Sequence, residues 1–252
     1  TQSRSSAASD VYKRQYRVYK RKKKNKGYRV ITAPNESLKL IQSQFAKFLY
    51  EKNKDLFDAN PHITGFLPGL SIKDNADPHL GSEWILNLDL KDFFPSITEE
   101  FLVDYYRDLG FKFNATELGK ITCYQGKLAQ GSPSSPVIAN LIALLTIDDK
   151  IKKIAEGSGF KYTRYADDLT FSIKSKCDRS FIKGFARYVT GIVSSSGIFE
   201  VNNSKVNIKH CSQRQMVTGV LVNNEDPGVS RPVRNKLRAI LHQHKIQDKP
   251  LD

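Results

Sequence analysis

Three aspartates carry the chemistry this sequence could perform. Asp89 lies in "LNLDLKDFF", and the adjacent pair Asp167–Asp168 lies 78 residues further on, in "RYADDLTFSI". Two like charges side by side between runs of strand-forming residues admit two readings. Asp is a good turn residue, and a hairpin tip can hold it with no further purpose. Alternatively, three carboxylates meeting at one sheet edge would repel and shift one another's pKa unless a cation neutralised them. Oxygen ligands of this kind suit Mg²⁺, with substrate phosphates completing its octahedron. Two such ions about 3.5–4 Å apart would stabilise the attacking and leaving oxygens of an in-line phosphoryl transfer. Spacing alone leaves both readings open, and turn or surface aspartates are the commoner case.

The elements around these residues must bring them together. "WILNLDLKDFF" (84–94) alternates as a strand, with Trp84, Leu86, Leu88 and Leu90 on one face and Ile85, Asn87 and Asp89 on the other. Residues 162–173 read as a hairpin with the twin aspartates near its tip. "GYRVITAP" reads as a strand stopped by Pro34. Asn35 can cap a helix through about Asn53, with Leu38, Ile41, Phe45 and Phe48/Leu49 on one face. The stretch 60–79 is rich in Gly, Pro and Asn and reads mostly as loop. A helix-rich stretch follows Thr98. Ser135 is then the expected N-cap of a long helix, with Pro136 at its first position and Val137, Leu141, Leu144 and Ile151 as its stripe. Asp148 and Asp149 are expected on its exposed face. Residues 179–196 read as a helix, "FEVNNSKVNI" and "QMVTGVLVN" as strands, and Arg231 opens a last amphipathic helix. No internal repeat is visible. This order predicts an α+β fold, a small antiparallel sheet with helices packed behind it.

Composition narrows the partners. The chain has 252 residues, 39% hydrophobic, which suffices for a sizeable core. No run of 18 apolar residues and no signal pattern occur, so no membrane partner is expected. Cys123, Cys177 and Cys211 form no CxxC, which argues against a disulfide framework or zinc and fits a reducing cytoplasm. Net charge is +14, and ten Lys or Arg with no acid fall between Lys13 and Arg29. Tyr12, Tyr16, Tyr19 and Tyr28 interleave with them, so bases can stack while cations such as Lys20, Arg21, Lys22, Lys23 and Lys24 meet phosphate. The other reading of 13–26 is a solvated, disordered basic arm. Either way a polyanion is the partner, and nucleic acid is favoured over membrane because no amphipathic helix accompanies the charge.

Read together, "LNLDLKDFFPSI", "QGSPSSPVIANL" and "RYADDLTFSI", in that order, resemble the polymerase motifs of reverse transcriptases, and "EVNNSKVNI" fits the lysine-bearing motif that follows them. The resemblance runs from about Tyr28 to Leu241. "NADPH" (75–79) is similar to the NAxxH signature of retron reverse transcriptases, and "VTG" (217–219) to the retron motif of those letters. Residues 1–15 show no useful periodicity and read as a disordered leader or as foreign to the fold. The resemblance implies a right-hand polymerase, with fingers over 16–83, a palm over 84–228 with a fingers insertion around 99–140, and the start of a thumb over 229–252. It implies that Asp89, Asp167 and Asp168 bind two Mg²⁺ ions, for which Mn²⁺ can substitute. Phe94 matches the gate whose apolar ring excludes a ribonucleotide's 2′-OH; core packing beside Phe93 is the alternative. Gln130 matches a residue that contacts the incoming nucleotide, and Lys205 a lysine that neutralises or protonates departing pyrophosphate. Arg29 is the candidate for the triphosphate. Asn75, His79, Val217, Thr218 and Gly219 would meet nucleic acid, with a structural hydrogen bond as the alternative for His79.

The implied activity is RNA-directed DNA synthesis on a structured noncoding RNA, using deoxynucleoside triphosphates, with an effector protein in antiviral defence. Three departures stand out. Leu70 stands where relatives often carry Arg, Ala129 replaces a proline common before the Gln, and the helix from Arg231 is short for a thumb. The chain therefore reads as a fragment or a form with a reduced thumb. His242 and His244 read as solvated helix surface. The rival readings are a reverse transcriptase of another lineage (group II intron, diversity-generating or abortive-infection type), a silent RNA-binding module, and a metal-dependent nuclease. The last would have no need of Phe94 or Gln130.

Overall fold

The computed structural model describes residues 15–22, 27–229 and 231–247. Strands β1 (Tyr16–Lys22) and β2 (Tyr28–Pro34) pair antiparallel. The basic run is therefore strand from 16 to 22, and not an arm. Lys23 and Lys24 lie outside the described residues, as does the expected leader except Gln15, whose carbonyl accepts the Asn35 amide at 2.7 Å. Asn35 also caps helix α1 (Glu36–Lys52) as expected, its side chain accepting from the Leu38 amide at 2.9 Å. The inward line of α1 differs from the predicted one. Leu38, Gln42 and Leu49 are buried while Ile41 and Phe48 are exposed, because Gln42 donates to the Tyr16 hydroxyl and to the Ile121 carbonyl.

Helix α2 (Lys54–Asp58) follows, and the expected loop at 60–79 contains α3 (Ile72–Ala76) and a 3-10 turn (Asp77–His79). A capping box explains α3: the Ser71 hydroxyl accepts from the Lys73 amide and Asp74 accepts from the Ser71 amide. Strand β3 (Trp84–Asp89) leads to α4 (Glu99–Asp108), α5 (Ala115–Thr122) and the two-residue strands β4 (Cys123–Tyr124) and β5 (Lys127–Leu128). Helix α6 (Ser135–Ala143) starts one residue earlier than predicted, with Ser134 at the cap, because Ser135 turns inward to donate to the Ala129 carbonyl.

The long helix is also not continuous. A π turn (Leu144–Asp148) separates α6 from α7 (Asp149–Gly157). The turn rotates Asp148 into the core, where it is fully buried and ion-paired with the fully buried Arg164 at 2.7 Å. The expectation of an exposed Asp148 is thus overturned, whereas Asp149 is exposed. Strands β6 (Lys161–Tyr165) and β7 (Asp168–Ile173) form the expected hairpin, and helix α8 (Arg179–Ser195) lies behind the sheet. The two later predicted strands are each broken. Val201 makes only a bridge to Leu90, a 3-10 turn (Asn203–Lys205) intervenes, and β8 covers Asn207–His210. "QMVTGVLVN" is a tight hairpin, β9 (Met216–Val217) and β10 (Val220–Leu221), because Thr218 and Gly219 both take left-handed φ. Helix α9 (Arg231–Gln247) closes the described chain, with Val233, Leu237, Ile240, Leu241 and His242 exposed.

The central sheet is antiparallel in the order β6-β7-β3-β8. Its leucine face is buried against α6, the π turn and α8, with Leu86, Leu88, Phe171, Ile142, Ile147 and Val189 in one core. The other face is only half open. Ile85 is fully buried by a second cluster of Ala76, Val217 and Val222, so α3 and the β9–β10 hairpin cover that end and leave Asn87 and Asp89 beyond it. Truncating a buried Ile to Ala costs about 2–5 kcal/mol, whereas a solvent-facing change stays within about 0.5 kcal/mol. Ile85→Ala is accordingly expected to lose several kcal/mol in urea unfolding. A loss below about 0.5 kcal/mol would mean that this face is open along its whole length.

Candidate active site

Strand register brings the aspartates together. Asp89 is the direct cross-strand partner of Asp168, one step beyond Leu88 opposite Leu169. Asp167 is the second residue of the two-residue turn joining β6 to β7, and its carbonyl accepts the Leu90 amide at 2.8 Å. The first turn residue, Ala166, has φ +57°, a position an L-residue adopts with strain. The Lys205 ammonium lies 2.6 Å from Asp89 Oδ2, carried there by the 3-10 turn, and Asn202 bonds both the Asp89 carbonyl (2.7 Å) and Oδ1 (3.4 Å).

The electrostatics follow from this crowding. Burial, then the charges of Asp167 and Asp89, push Asp168 up to about 6, with Lys205 opposing. Burial also raises Asp167; its own backbone amide opposes, Asp89 adds, and Lys205 and Arg29 oppose. Two carboxylates forced toward protonation beside a third fit a hard divalent cation. The three lie at the paired ends of β3 and β7 and in the turn that joins β6 to β7. The site is an open edge and not a closed cage, the form suited to ions that take their remaining ligands from phosphate and water.

The other predicted residues divide into three groups. Arg29, Phe94 and Gln130 make up the first. Arg29 is exposed on β2 directly opposite Arg21, a like-charge pair that a polyanion would relieve, and its charge reaches Asp167. Phe94 is half-buried, its ring 5.4 Å from Phe93 and 6.0 Å from Phe66. The Gln130 carbonyl accepts the Thr32 amide at 2.8 Å, docking the basic hairpin on the "QGSPSS" loop. Gly131 makes this approach possible: it has φ +129°, and a Cβ there would lie 2.9 Å from the Thr32 carbonyl. Lys20, Arg21 and Lys22 are exposed along the hairpin, and Leu70 is exposed as well.

The retron-motif residues are placed differently. Asn75 is fully buried, accepting from the Thr64 hydroxyl at 2.8 Å. His79 is fully buried between Ser172 (2.7 Å) and Thr163 (2.8 Å), and burial lowers its pKa to about 3, so it is a neutral structural link and not a surface contact. Val217 belongs to the second core cluster. Only Thr218 and Gly219 face outward, and with Ile72, Asn87, Tyr165, Asp168, Thr170 and Met216 they line a groove of about 380 Å³ that begins at Asp168.

Three features escaped the sequence. Phe66, half exposed at φ +62°, stands beside Phe94 and Tyr165 with no periodicity to flag it. Asn202 is legible only through its distance to Asp89. At the far end of the sheet, Glu83, His210 and Cys211 offer ligand atoms within 4.8 Å of each other, joined by β3–β8 pairing. There Glu83 takes hydrogen bonds from His210 (3.0 Å) and Cys211 (3.3 Å), contacts that need no metal.

The raised acidity constants have a definite sign. Asp168 is protonated in the fold at a higher pH than in the unfolded chain, near 3.9, so the metal-free fold gains stability from it as pH falls through about 6 and loses that gain as pH rises again. Divalent binding needs the carboxylate. Mn²⁺ affinity measured by electron paramagnetic resonance from pH 8 to 5 is therefore expected to fall below about pH 6, approaching tenfold per unit. Asp168→Asn should flatten that fall, and an affinity independent of pH would contradict the electrostatics.

Comparison with known proteins agrees with this geometry. The reverse transcriptase (RNA-dependent DNA polymerase) family profile matches residues 20–240. The retron Ec86 reverse transcriptase of Escherichia coli is 36% identical over 230 residues, covering 90% of this chain and 69% of that protein. The retron Mx65 reverse transcriptase of Myxococcus xanthus is 34% identical over 250 residues, covering 91% of this chain and 56% of that protein. Among solved structures, telomerase from Candida albicans, in complex with a fragment of telomeric RNA, superposes with a TM-score of 0.58 at 13% identity, over 90% of this chain and 49% of that one. The last likeness shows a shared polymerase fold. The three-aspartate edge, the order of the motifs and these identities lead to one conclusion: the chain belongs to the reverse transcriptase family and, within it, to the retron reverse transcriptases.

Proposed function

We propose that this chain copies a partner noncoding RNA into DNA by two-metal nucleotidyl transfer, in the service of antiviral defence. The observation that carries the catalytic part is the register pairing of Asp89 with Asp168, with Asp167 adjoining and Lys205 at hand. In this reading residues 16–83 are the fingers, 84–228 the palm with its insertion around 99–140, and α9 the start of a thumb.

Asp89, Asp167 and Asp168 would hold two divalent ions, Mg²⁺ with Mn²⁺ as substitute. When bound, these would activate the primer hydroxyl and neutralise the developing charge on the leaving pyrophosphate. The chain's own groups do the rest. Exposed Lys20, Arg21 and Lys22 draw the RNA phosphates in, and Arg29 meets the triphosphate. Phe94, backed by Phe93 and Phe66, presents an apolar ring to the sugar and gives a 2′-OH no partner. Gln130, tied through its carbonyl to Thr32, presents its side chain to the incoming nucleotide. Lys205 is placed to pass from Asp89 to the departing pyrophosphate as charge develops there.

Among the described residues no helix is long and apolar enough to cross a bilayer. The test is primer extension on an RNA template with Mg²⁺ and labelled deoxynucleotides. The parent should extend, and Asp167→Asn with Asp168→Asn should not, while RNA affinity stays within about twofold. Phe94→Ala should admit ribonucleotides. A parent that binds RNA but extends nothing would make the chain a silent RNA-binding module, and loss of RNA binding in the double variant would make the pair structural.

A further inference from the structure

Arg164 immediately precedes Tyr165 and the turn that bears Asp167, and its guanidinium is fully buried. Its Nε donates to both Asp148 oxygens at 3.0 Å and its Nη2 to Asp148 Oδ2 at 2.7 Å. Its Nη1 donates to Asn140 Oδ1 at 2.8 Å and to the Ala166 carbonyl at 3.2 Å. Asn140 in turn donates from Nδ2 to the Gly65 carbonyl at 2.7 Å. Gly65 lies flat against the same turn, since a Cβ on it would sit 2.3 Å from the Ala166 amide nitrogen. The Tyr162 hydroxyl donates to Asp148 at 2.7 Å and completes the shell.

Stability alone does not account for this arrangement, because a buried ion pair can often be replaced by apolar side chains without loss. What it adds is geometric. The Ala166–Asp167 turn holds a non-glycine residue at positive φ and two adjacent carboxylates that repel, so an unsupported turn would let them part. The fork of a guanidinium fixes two directions at once, which an ammonium cannot. The π turn is what aims Asp148 at it, in keeping with the use of such turns at functional sites.

We propose that Arg164, Asp148 and Asn140 are positioning residues that grip the Ala166–Asp167 turn from beneath, setting the spacing of Asp167 and Asp168 from Asp89 for divalent-ion binding. The proposal rests on the polymerase reading of that edge. Supporting groups behind metal ligands typically contribute 10- to 100-fold to metal affinity or activity.

The test measures Mn²⁺ affinity of the full chain by electron paramagnetic resonance, counting only the binding lost in Asp167→Asn with Asp168→Asn, beside the kcat and KM of extension. Asp148→Asn and Arg164→Lys should each weaken that Mn²⁺ binding about tenfold or more and lower kcat per folded molecule comparably, with the deoxynucleotide KM within about twofold. Asn140→Ala leaves the ion pair intact and should act in the same direction, so it decides the matter if the charge variants do not fold. Unchanged Mn²⁺ affinity and kcat in folded variants, with only a lower unfolding midpoint, would reduce the network to a structural role and overturn the proposal. If the parent extends no primer, the Mn²⁺ readout still judges the grip on the turn, so the two readings fail separately.

Discussion

Everything at this site depends on one pairing, Asp89 opposite Asp168 across β3 and β7. Strand side chains alternate with period two, so a slip of one residue would send Asp89 to the leucine face and Leu88 to the groove. The register is held from both sides. Leu86, Leu88, Leu169 and Phe171 are buried behind the sheet, and Thr170 donates to Asn87 at 3.1 Å on its front. The same hydrophobic burial that stabilises the fold therefore forces like charges together at the strand ends. The electrostatic strain appears in the raised Asp167 and Asp168 and is partly offset by Lys205.

Two cations act on this negative point: Lys205 pairs with Asp89, and Arg29 opposes the rise of Asp167. The β1–β2 hairpin exposes most of its residues, and it docks through backbone and buried polar contacts: the Thr32 amide on Gln130, and Gln42 bridging Tyr16 and Ile121. Its cations Lys20, Arg21 and Lys22 stay exposed, and the charge of Arg29 reaches Asp167. Arg21 facing Arg29 is an arrangement that costs free energy in the isolated protein and becomes favourable when a polyanion lies between or across them.

The strand at 84–89, the hairpin and the α+β order were legible because each rests on a short-range pattern: alternation in 84–90, a turn between strand runs in 164–173, and the cap at Asn35. The three aspartates stood out only through the resemblance to polymerase motifs, since spacing left turn residues open. Long-range pairings were hidden. Nothing in the apolar stripe of 137–151 signals a π turn, so Asp148 reads as exposed when it is buried against Arg164. Alternation puts Ile85 opposite the leucines but does not reveal its cover, which comes from α3 and a hairpin some 130 residues away in sequence. Asn75 reads as a nucleic-acid contact from its motif, and His79 as either such a contact or a structural hydrogen bond. Within the fold Asn75 bonds Thr64, and His79 takes the structural role between Ser172 and Thr163. Buried hydrogen bonds of this kind satisfy groups that would otherwise destabilise the interior, and no spacing rule reveals them.

The most direct measurement is anomalous X-ray diffraction from crystals of the protein equilibrated with Mn²⁺ and a deoxynucleoside triphosphate at neutral pH. Anomalous density is expected to bridge Asp89, Asp167 and Asp168, with Lys205 turned away from Asp89. Density confined to Glu83, His210 and Cys211, or none beside the aspartates at saturating Mn²⁺, would contradict it.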